Sequence, residues 1–194
     1  GLALLPLVHC QYPAMLAEIP DPPFALWVRG AMPAPTVPAV AVVGSRDASP
    51  AGLAASQRLG RDLARAGIVV VSGLARGIDG AAHEAALGAG TIAVLAGGLD
   101  KIYPPEHAGL HEKIAREGCL VSELPPGFSP RGQDFPRRNR IISGMSHGVV
   151  IVEAAARSGT LVTARYANEQ GREVFAVPGH PLDPRAEGTN ALIK

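Results

Sequence analysis

From residue 39 onward, short apolar runs alternate with longer segments in which apolar and polar residues are mixed. Runs such as 40–43 are apolar at every position, which is typical of strands buried on both faces of a parallel sheet. The predicted strands are 40–43, 68–71, 92–95, 120–121, 149–152 and 174–177. The predicted helices are 50–66, 80–88, 105–117, 139–146 and 160–170. This alternation predicts an α/β fold with a right-handed, doubly wound, mostly parallel sheet and helices on both faces.

Residues 1–38 differ from the rest of the chain because they contain eight of its 18 prolines. Within them the pattern predicts a short helix over 12–16 and a short strand over 25–28. We expect a proline-rich lead-in packed on the core, and a main domain formed by residues 39–194. The apolar opening, residues 2–8, is short and lacks a basic leader, so we do not interpret it as a signal peptide. It resembles the end of a segment that begins further upstream.

The formal net charge of the 194 residues is only +1, so any nucleic-acid binding must come from a local patch. Such a patch lies in and just after a predicted long loop, residues 125–136, and consists of Arg131, Arg137, Arg138 and Arg140 with Phe135 beside them. Guanidinium groups match phosphate oxygens in a planar, bidentate way, and an aromatic ring stacks on an unpaired base. Taken alone, such a cluster is more simply explained as a solvated basic loop, but the glycine-containing turns elsewhere in the chain shift the interpretation toward a single-stranded nucleic-acid site.

Three glycine-containing turns, each between a predicted strand and a helix, are candidate phosphate sites. They are Gly44-Ser45-Arg46, the segment 72–80, and Ser158-Gly159-Thr160. Ligands in open α/β sheets bind at the carboxyl ends of the strands, where helix N-termini present free N–H groups. Glycine in any one of these turns has a simpler explanation in turn geometry, but three in one sheet favour binding.

Dinucleotide and ATP sites are not supported by these turns. Gly44 is not followed by the second glycine of the dinucleotide fingerprint, and Ser72 stands where a ribose-binding acid is expected. The chain also lacks a Walker A sequence. Its two cysteines are not in a metal-binding spacing, and its six histidines are scattered. We therefore predict no cofactor, no metal and a reducing, cytoplasmic location, and the sequence has no apolar run long enough to span a membrane.

Glu153, at the end of the fifth predicted strand, raises an enzymatic alternative. A nucleotide-processing N-glycosidase would use such a glutamate as an acid or nucleophile beside the turn at 158–160. The simpler interpretation is that Glu153 caps the following helix or pairs with an arginine. No second carboxylate stands close to it in a suitable position, which favours binding over catalysis.

Taken in order, the motifs resemble those of the bacterial DNA-processing protein A (Smf) family. They are Val42–Arg46, Ser72–Asp79, Gly97–Asp100 with Tyr103-Pro104, Ser122-Glu123, Phe135–Gly144 and Ser158–Thr160. The lead-in is similar to that family as well, so the resemblance covers nearly the whole chain. Each motif alone is a weak signal, but the ordered set is specific.

The resemblance implies an extended Rossmann-like domain that binds single-stranded DNA during natural transformation, protects the incoming strand and helps to load the RecA recombinase. It further implies a homodimer without enzymatic activity. Many members of that family carry additional helical and winged-helix domains, whose functions lie outside this sequence. Motifs and resemblance together predict ten DNA-binding residues: Gly44, Ser45, Arg46, Phe135, Arg137, Arg138, Asn139, Arg140, Gly159 and Thr160. Whether Phe135 stacks on a base or anchors its loop stays open at this point.

Overall fold

The computed structural model describes residues 1–193, which form one eight-stranded sheet flanked by helices. The strands are β1 Leu2–Pro6, β2 Ala25–Gly30, β3 Ala39–Val43, β4 Val69–Ser72, β5 Thr91–Val94, β6 Cys119–Ser122, β7 Gly148–Ile151 and β8 Glu173–Ala176. The helices are α1 Ala14–Ala17, α2 Pro50–Arg65, α3 Ile78–Ala86, α4 Ala108–Glu117, α5 Asp134–Gly144, α6 Thr160–Glu169 and α7 Glu187–Leu192. Two short 3-10 turns cover Pro105–His107 and Pro184–Ala186.

The sheet has the strand order β1-β2-β6-β5-β4-β3-β7-β8, and β3 to β8 are all parallel. From β3 the chain proceeds outward through β4, β5 and β6, and then returns to the other side of β3 with β7 and β8. The order therefore reverses between β3 and β7, which is the topological switch point where open α/β sheets bind ligands. The predicted doubly wound, Rossmann-like architecture is confirmed.

Helices cover both faces of the sheet, which explains why its strands are apolar throughout. In β3, Ala41 and Val43 belong to the hydrophobic cluster that includes α5 and α6, whereas Val42 packs with α2 and α3. Helix α4 packs on the same face of the sheet as α2 and α3, beside Ala93 of β5 and Leu120 of β6. Successive strand residues point to opposite faces, so both sets of side chains are buried.

The lead-in contributes to the sheet itself. Strand β2 pairs antiparallel with β6, and β1 pairs antiparallel with β2. Strand β1 is absent from the sequence-based predictions, which assigned no structure to residues 2–8. It is an edge strand whose Leu2 and Leu4 are each about half exposed, so it lacks the fully buried pattern of the central strands. Leu16 of α1 and Ile19 pack in the main core cluster, against Gly144 at the end of α5.

Two local predictions were wrong. Helix α5 begins at Asp134 and not near Asn139, so the arginine motif lies on a helix and not in a loop. Pro136 is tolerated there because the first helical turn needs no N–H donors, and Asp134 suits the positive end of the helix dipole. The sequence also predicts that Asp79 caps the helix over 80–88, but helix α3 begins at Ile78 and its N-cap is Gly77. Instead the carboxylate Oδ2 of Asp79 accepts a hydrogen bond from the Gly73 N–H at 3.1 Å, inside the protein.

Candidate nucleic-acid interface

An open groove of about 900 Å³ lies at the carboxyl ends of β3 and β7, and we call it the switch-point groove. Its walls are the turn after β3, the first half of α5, and the turn between β7 and α6. Eight of the ten predicted binding residues line it: Gly44, Ser45, Arg46, Phe135, Arg138, Asn139, Gly159 and Thr160. The topology therefore brings together turns that lie more than a hundred residues apart in the sequence.

Hydrogen bonds between the walls fix the shape of the groove. The Thr160 hydroxyl donates to the carbonyl of Gly44 at 3.1 Å, and the Asn139 side-chain amide donates to the carbonyl of Gly159 at 3.4 Å. Gly44 has to be glycine because a Cβ there would lie 2.6 Å from a side-chain carbon of Ile78. The three walls are thus held in place within the protein itself, which reduces the ordering cost of binding.

Arg46 and Phe135 both line the groove and contact each other. The Arg46 guanidinium carbon lies 5.4 Å from the centre of the Phe135 ring, a cation–π distance. Phe135 also packs on Tyr103, with ring centres 5.3 Å apart and planes at 56°. Arg46 is exposed, and among residues 1–193 no carboxylate lies within ion-pair distance of it. Phe135 is therefore anchored on one side and still borders the groove.

A second cavity, of about 410 Å³, adjoins the groove at the carboxyl ends of β4 and β5. Arg46, Phe135 and Tyr103 line both cavities, so these side chains form the wall between them. Arg76 and Lys101 add two more cations to the second cavity. Arg76 lies within the candidate phosphate turn 72–80, but neither it nor Lys101 is among the ten binding residues predicted from the sequence, because each is a single cation outside the basic cluster.

Arg138 is buried beneath the groove and is already engaged. Its guanidinium Nη1 donates to the carbonyl of Gly73 at 2.8 Å and also to the carbonyl of Val94. The carboxylate of Asp79 lies close enough to favour its charge, while burial lowers the pKa of Arg138 to about 10. Burial also disfavours the charged form of Asp79 and so raises the pKa of its carboxyl, whereas the nearby charge of Arg138 opposes that shift. Arg138 thus clamps α5 onto the ends of β4 and β5.

The other arginines of the motif do not line the switch-point groove. The Arg140 side chain is 6% exposed and bonds the carboxylates of Glu123 at 2.7 Å and Asp21 at 3.1 Å. Arg137 is 65% exposed and lies 3.8 Å from Glu123. Arg131, also exposed, lies 3.7 Å from Asp134. The compact basic cluster of the sequence is therefore divided by the fold into buried clamps and exposed cations.

This division predicts different outcomes for two neighbouring charge reversals. Arg137→Glu is expected to weaken single-strand binding while leaving the melting temperature unchanged, because the side chain is exposed. Arg140→Glu is expected to lower the melting temperature by several degrees, because it places a third carboxylate beside Glu123 and Asp21. Thermal melts and DNA titrations on both variants test this. Equal melts for the two variants would contradict the assignment.

Glu153 does not occupy a catalytic position. It is buried, and its Oε2 accepts a hydrogen bond from the backbone N–H of Ser49 at 2.9 Å. A Cβ at Gly52, in the first turn of α2, would lie 2.8 Å from the same oxygen. The carboxylate therefore lies against the N-terminus of α2 and is not among the residues that line either cavity. This geometry favours the structural interpretation over the N-glycosidase.

Within residues 1–193 no helix is both long and apolar enough to cross a membrane. Over the same range, no group of three or more histidine, cysteine, aspartate or glutamate side chains is placed to hold a metal ion.

Comparison with solved structures shows close agreement over the whole chain. DNA processing protein A from Streptococcus pneumoniae superposes with a TM-score of 0.94 at 42% identity, covering 100% of this chain and 69% of that one. DNA processing protein A from Helicobacter pylori, described with its single-stranded DNA binding mode, superposes with a TM-score of 0.90 at 33% identity, covering 100% and 87%. A molybdenum cofactor binding protein from Rippkaea orientalis, at 21% identity and a TM-score of 0.56, shares the fold alone.

Sequence comparison gives the same result. The chain is 44% identical to DNA processing protein DprA of Bacillus subtilis, covering 100% of this chain and 66% of that protein. It is 50% identical to Protein Smf of Escherichia coli, covering 98% and 52%. It thus spans between about half and two thirds of the length of these curated relatives. Residues 3–194 match the family described as DNA recombination-mediator protein A, and the chain belongs to that family.

Proposed function

We propose that this chain binds single-stranded DNA in the switch-point groove, without regard to base sequence. The observation that carries the proposal is Arg46: an exposed guanidinium, unpaired within residues 1–193, that faces an aromatic ring at the sheet's switch point. Such a guanidinium is available to a phosphate, whereas those of Arg138 and Arg140 are already engaged inside the protein.

The proposed contacts follow from the chemistry of the groove walls. A backbone phosphate would lie against Arg46 and the turn that contains Gly44 and Ser45, with Gly159 and Thr160 on the facing wall. Phe135 would stack on a base, which only an unpaired strand can offer. Arg137 and Asn139 would lie along the outer edge of the strand. These groups recognise the sugar–phosphate backbone and the π-face of a base, so binding would be largely independent of sequence.

The role of Arg138 and Arg140 in this proposal is indirect. Both were predicted as DNA contacts, and Arg138 does line the groove. Its bonds to Gly73 and Val94 favour a role in fixing α5, and with it Phe135, against the ends of β4 and β5. Arg140 would in the same way hold α5 against Glu123 and the lead-in residue Asp21.

In the cell, we propose that the bound strand is protected and passed to the RecA recombinase during natural transformation. The family description, recombination mediator, supports this step. The Helicobacter pylori relative, at 33% identity, supports single-stranded DNA as the ligand. We further propose that the protein acts in the cytoplasm as a homodimer, by binding and without catalysis.

Comparing single-stranded and duplex DNA of the same sequence tests the proposed ligand. Oligothymidine is expected to bind more tightly than duplex DNA, because stacking on Phe135 needs an unpaired base. The logarithm of the affinity is expected to fall linearly with the logarithm of the salt concentration, by about 0.7 for each phosphate neutralised. Fluorescence anisotropy titrations over a salt series measure both quantities. Equal or tighter binding to duplex DNA at moderate salt would overturn the proposal.

A further inference from the structure

Arg157 is a cation of the switch-point groove that lies outside the sequence motifs described above. It lies in the turn between β7 and α6, one residue before Ser158-Gly159-Thr160, and lines the groove. It is exposed, and no carboxylate within residues 1–193 lies within ion-pair distance of it. An exposed, unpaired arginine contributes little to stability, so packing gives no reason for its presence at this edge.

The sheet places Arg157 close to the proposed site of the first phosphate. Strands β3 and β7 are parallel neighbours, with Val43 paired to Ile151 at their carboxyl ends. Arg46 follows the first of these strands and Arg157 follows the second. The turn that carries Arg157 is tied to the other two walls, through the bonds of Thr160 to Gly44 and of Asn139 to Gly159.

The balance of charge in the groove points in the same direction. Of its three lining arginines, Arg138 is engaged with the backbone carbonyls of Gly73 and Val94, which leaves Arg46 and Arg157 as the cations free to meet a ligand. The lining carboxylates are Asp79, which lies beside Arg138, and Asp47, which is exposed next to Arg46. The two free guanidinium groups therefore lie on turns that follow adjacent strands, along one continuous groove.

We propose that Arg157 binds a second backbone phosphate of the same strand, so that the DNA crosses the switch point from the Phe135 side to the turn between β7 and α6. The inference rests on the proposed function and adds to it the path of the strand across the groove and a second phosphate contact. Arg157 makes none of the hydrogen bonds that hold the groove walls together. Its contribution appears only when the strand is long enough to reach both cations.

The test replaces Arg157 and a matched control on the neighbouring helix. Arg165 is also exposed, at 65%, but lies on α6 beside Glu169 at 3.6 Å and does not line the groove. Arg157→Gln is expected to weaken binding of a long oligothymidine about five- to tenfold, since a charge-assisted contact is lost at an exposed site. The slope of log affinity against log salt is expected to decrease by about 0.7, the value for one phosphate. Arg165→Gln is expected to change neither quantity.

Oligothymidines of decreasing length separate this inference from the proposed function. The loss of affinity caused by Arg157→Gln is expected to disappear for the shortest oligomers that still bind, because they reach only the phosphate site at Arg46. If Arg157→Gln keeps the affinity and salt slope of Arg165→Gln at every length while Arg46→Glu weakens binding by at least about tenfold, the second contact is refuted and the proposed function stands. If the unaltered protein binds no oligothymidine at any length, both are refuted.

Discussion

Replacing Arg138 with methionine is expected to lower the free energy of unfolding by about 3–5 kcal/mol, because it leaves the buried Asp79 carboxylate without the nearby cation that favours its charged form. Asp79 would remain inside the protein without its neighbouring cation, and the carbonyls of Gly73 and Val94 would each lose a donor. Urea denaturation measures the change. Arg137→Met, one residue away but 65% exposed, is the matched control and is expected to stay within about 0.5 kcal/mol of the parent.

The pH dependence of this loss follows from Asp79. Its pKa in the folded protein is already raised by burial, and removing Arg138 takes away the charge that opposes the shift. A carboxyl with a raised folded pKa favours the native state at low pH and destabilises it as the pH rises through that value. The deficit of Arg138→Met is therefore expected to be larger at neutral pH than in mild acid. Adding Asp79→Asn to Arg138→Met should recover part of the lost stability, because the unpaired buried charge is removed. If the loss in the double variant equals the sum of the losses in the two single variants, Asp79 and Arg138 do not interact.

Reversing the charge of Arg46 is expected to have the largest effect on DNA binding. Arg46→Glu removes a charge-assisted phosphate contact worth about 1.5–3 kcal/mol and adds repulsion, so the dissociation constant should rise by at least about tenfold. The cation–π contact with Phe135 is lost as well. Because Arg46 is exposed, the melting temperature should not change.

The control for Arg46→Glu is the same reversal at Arg58 on α2. Arg58 is 82% exposed and lies 3.6 Å from Asp62, away from both cavities. Both variants change the net charge by the same amount, so a general electrostatic effect would weaken binding equally. If Arg46→Glu and Arg58→Glu bind DNA with the same affinity, whether both are weakened or both are unchanged, the groove is not the phosphate site.

Much of the architecture was predictable because the central strands are buried on both faces. An apolar run bounded by turn residues identifies such a strand, and the six runs after residue 39 all correspond to observed strands. Strand β1 was missed because it lies at the edge of the sheet, where one face carries half-exposed Leu2 and Leu4. The pairing that makes it a strand, with β2, involves residues 19 to 27 positions away in the sequence, from Pro6 with Ala25 to Leu2 with Arg29.

The binding residues were predictable as a set, but their individual roles were not. The sequence pattern places Pro136 in a loop, so it does not reveal which arginines after Pro136 lie on the core-facing side of a helix. Once α5 is known to start at Asp134, Arg138 falls three and four residues before the buried Ile141 and Ile142, on the face toward the core. Arg157 had a local signal, since it directly precedes a glycine turn, but a single arginine outside a cluster is a weak indication.

A crystal structure of this chain with a short oligothymidine tests the central claim most directly. We expect a backbone phosphate within hydrogen-bond distance of the Arg46 guanidinium, with the strand lying along the switch-point groove between α5 and the turn that precedes α6. Arg138 should keep its bonds to the carbonyls of Gly73 and Val94 in the complex. A strand bound on another face of the sheet, with Arg46 still facing solvent, would contradict the account.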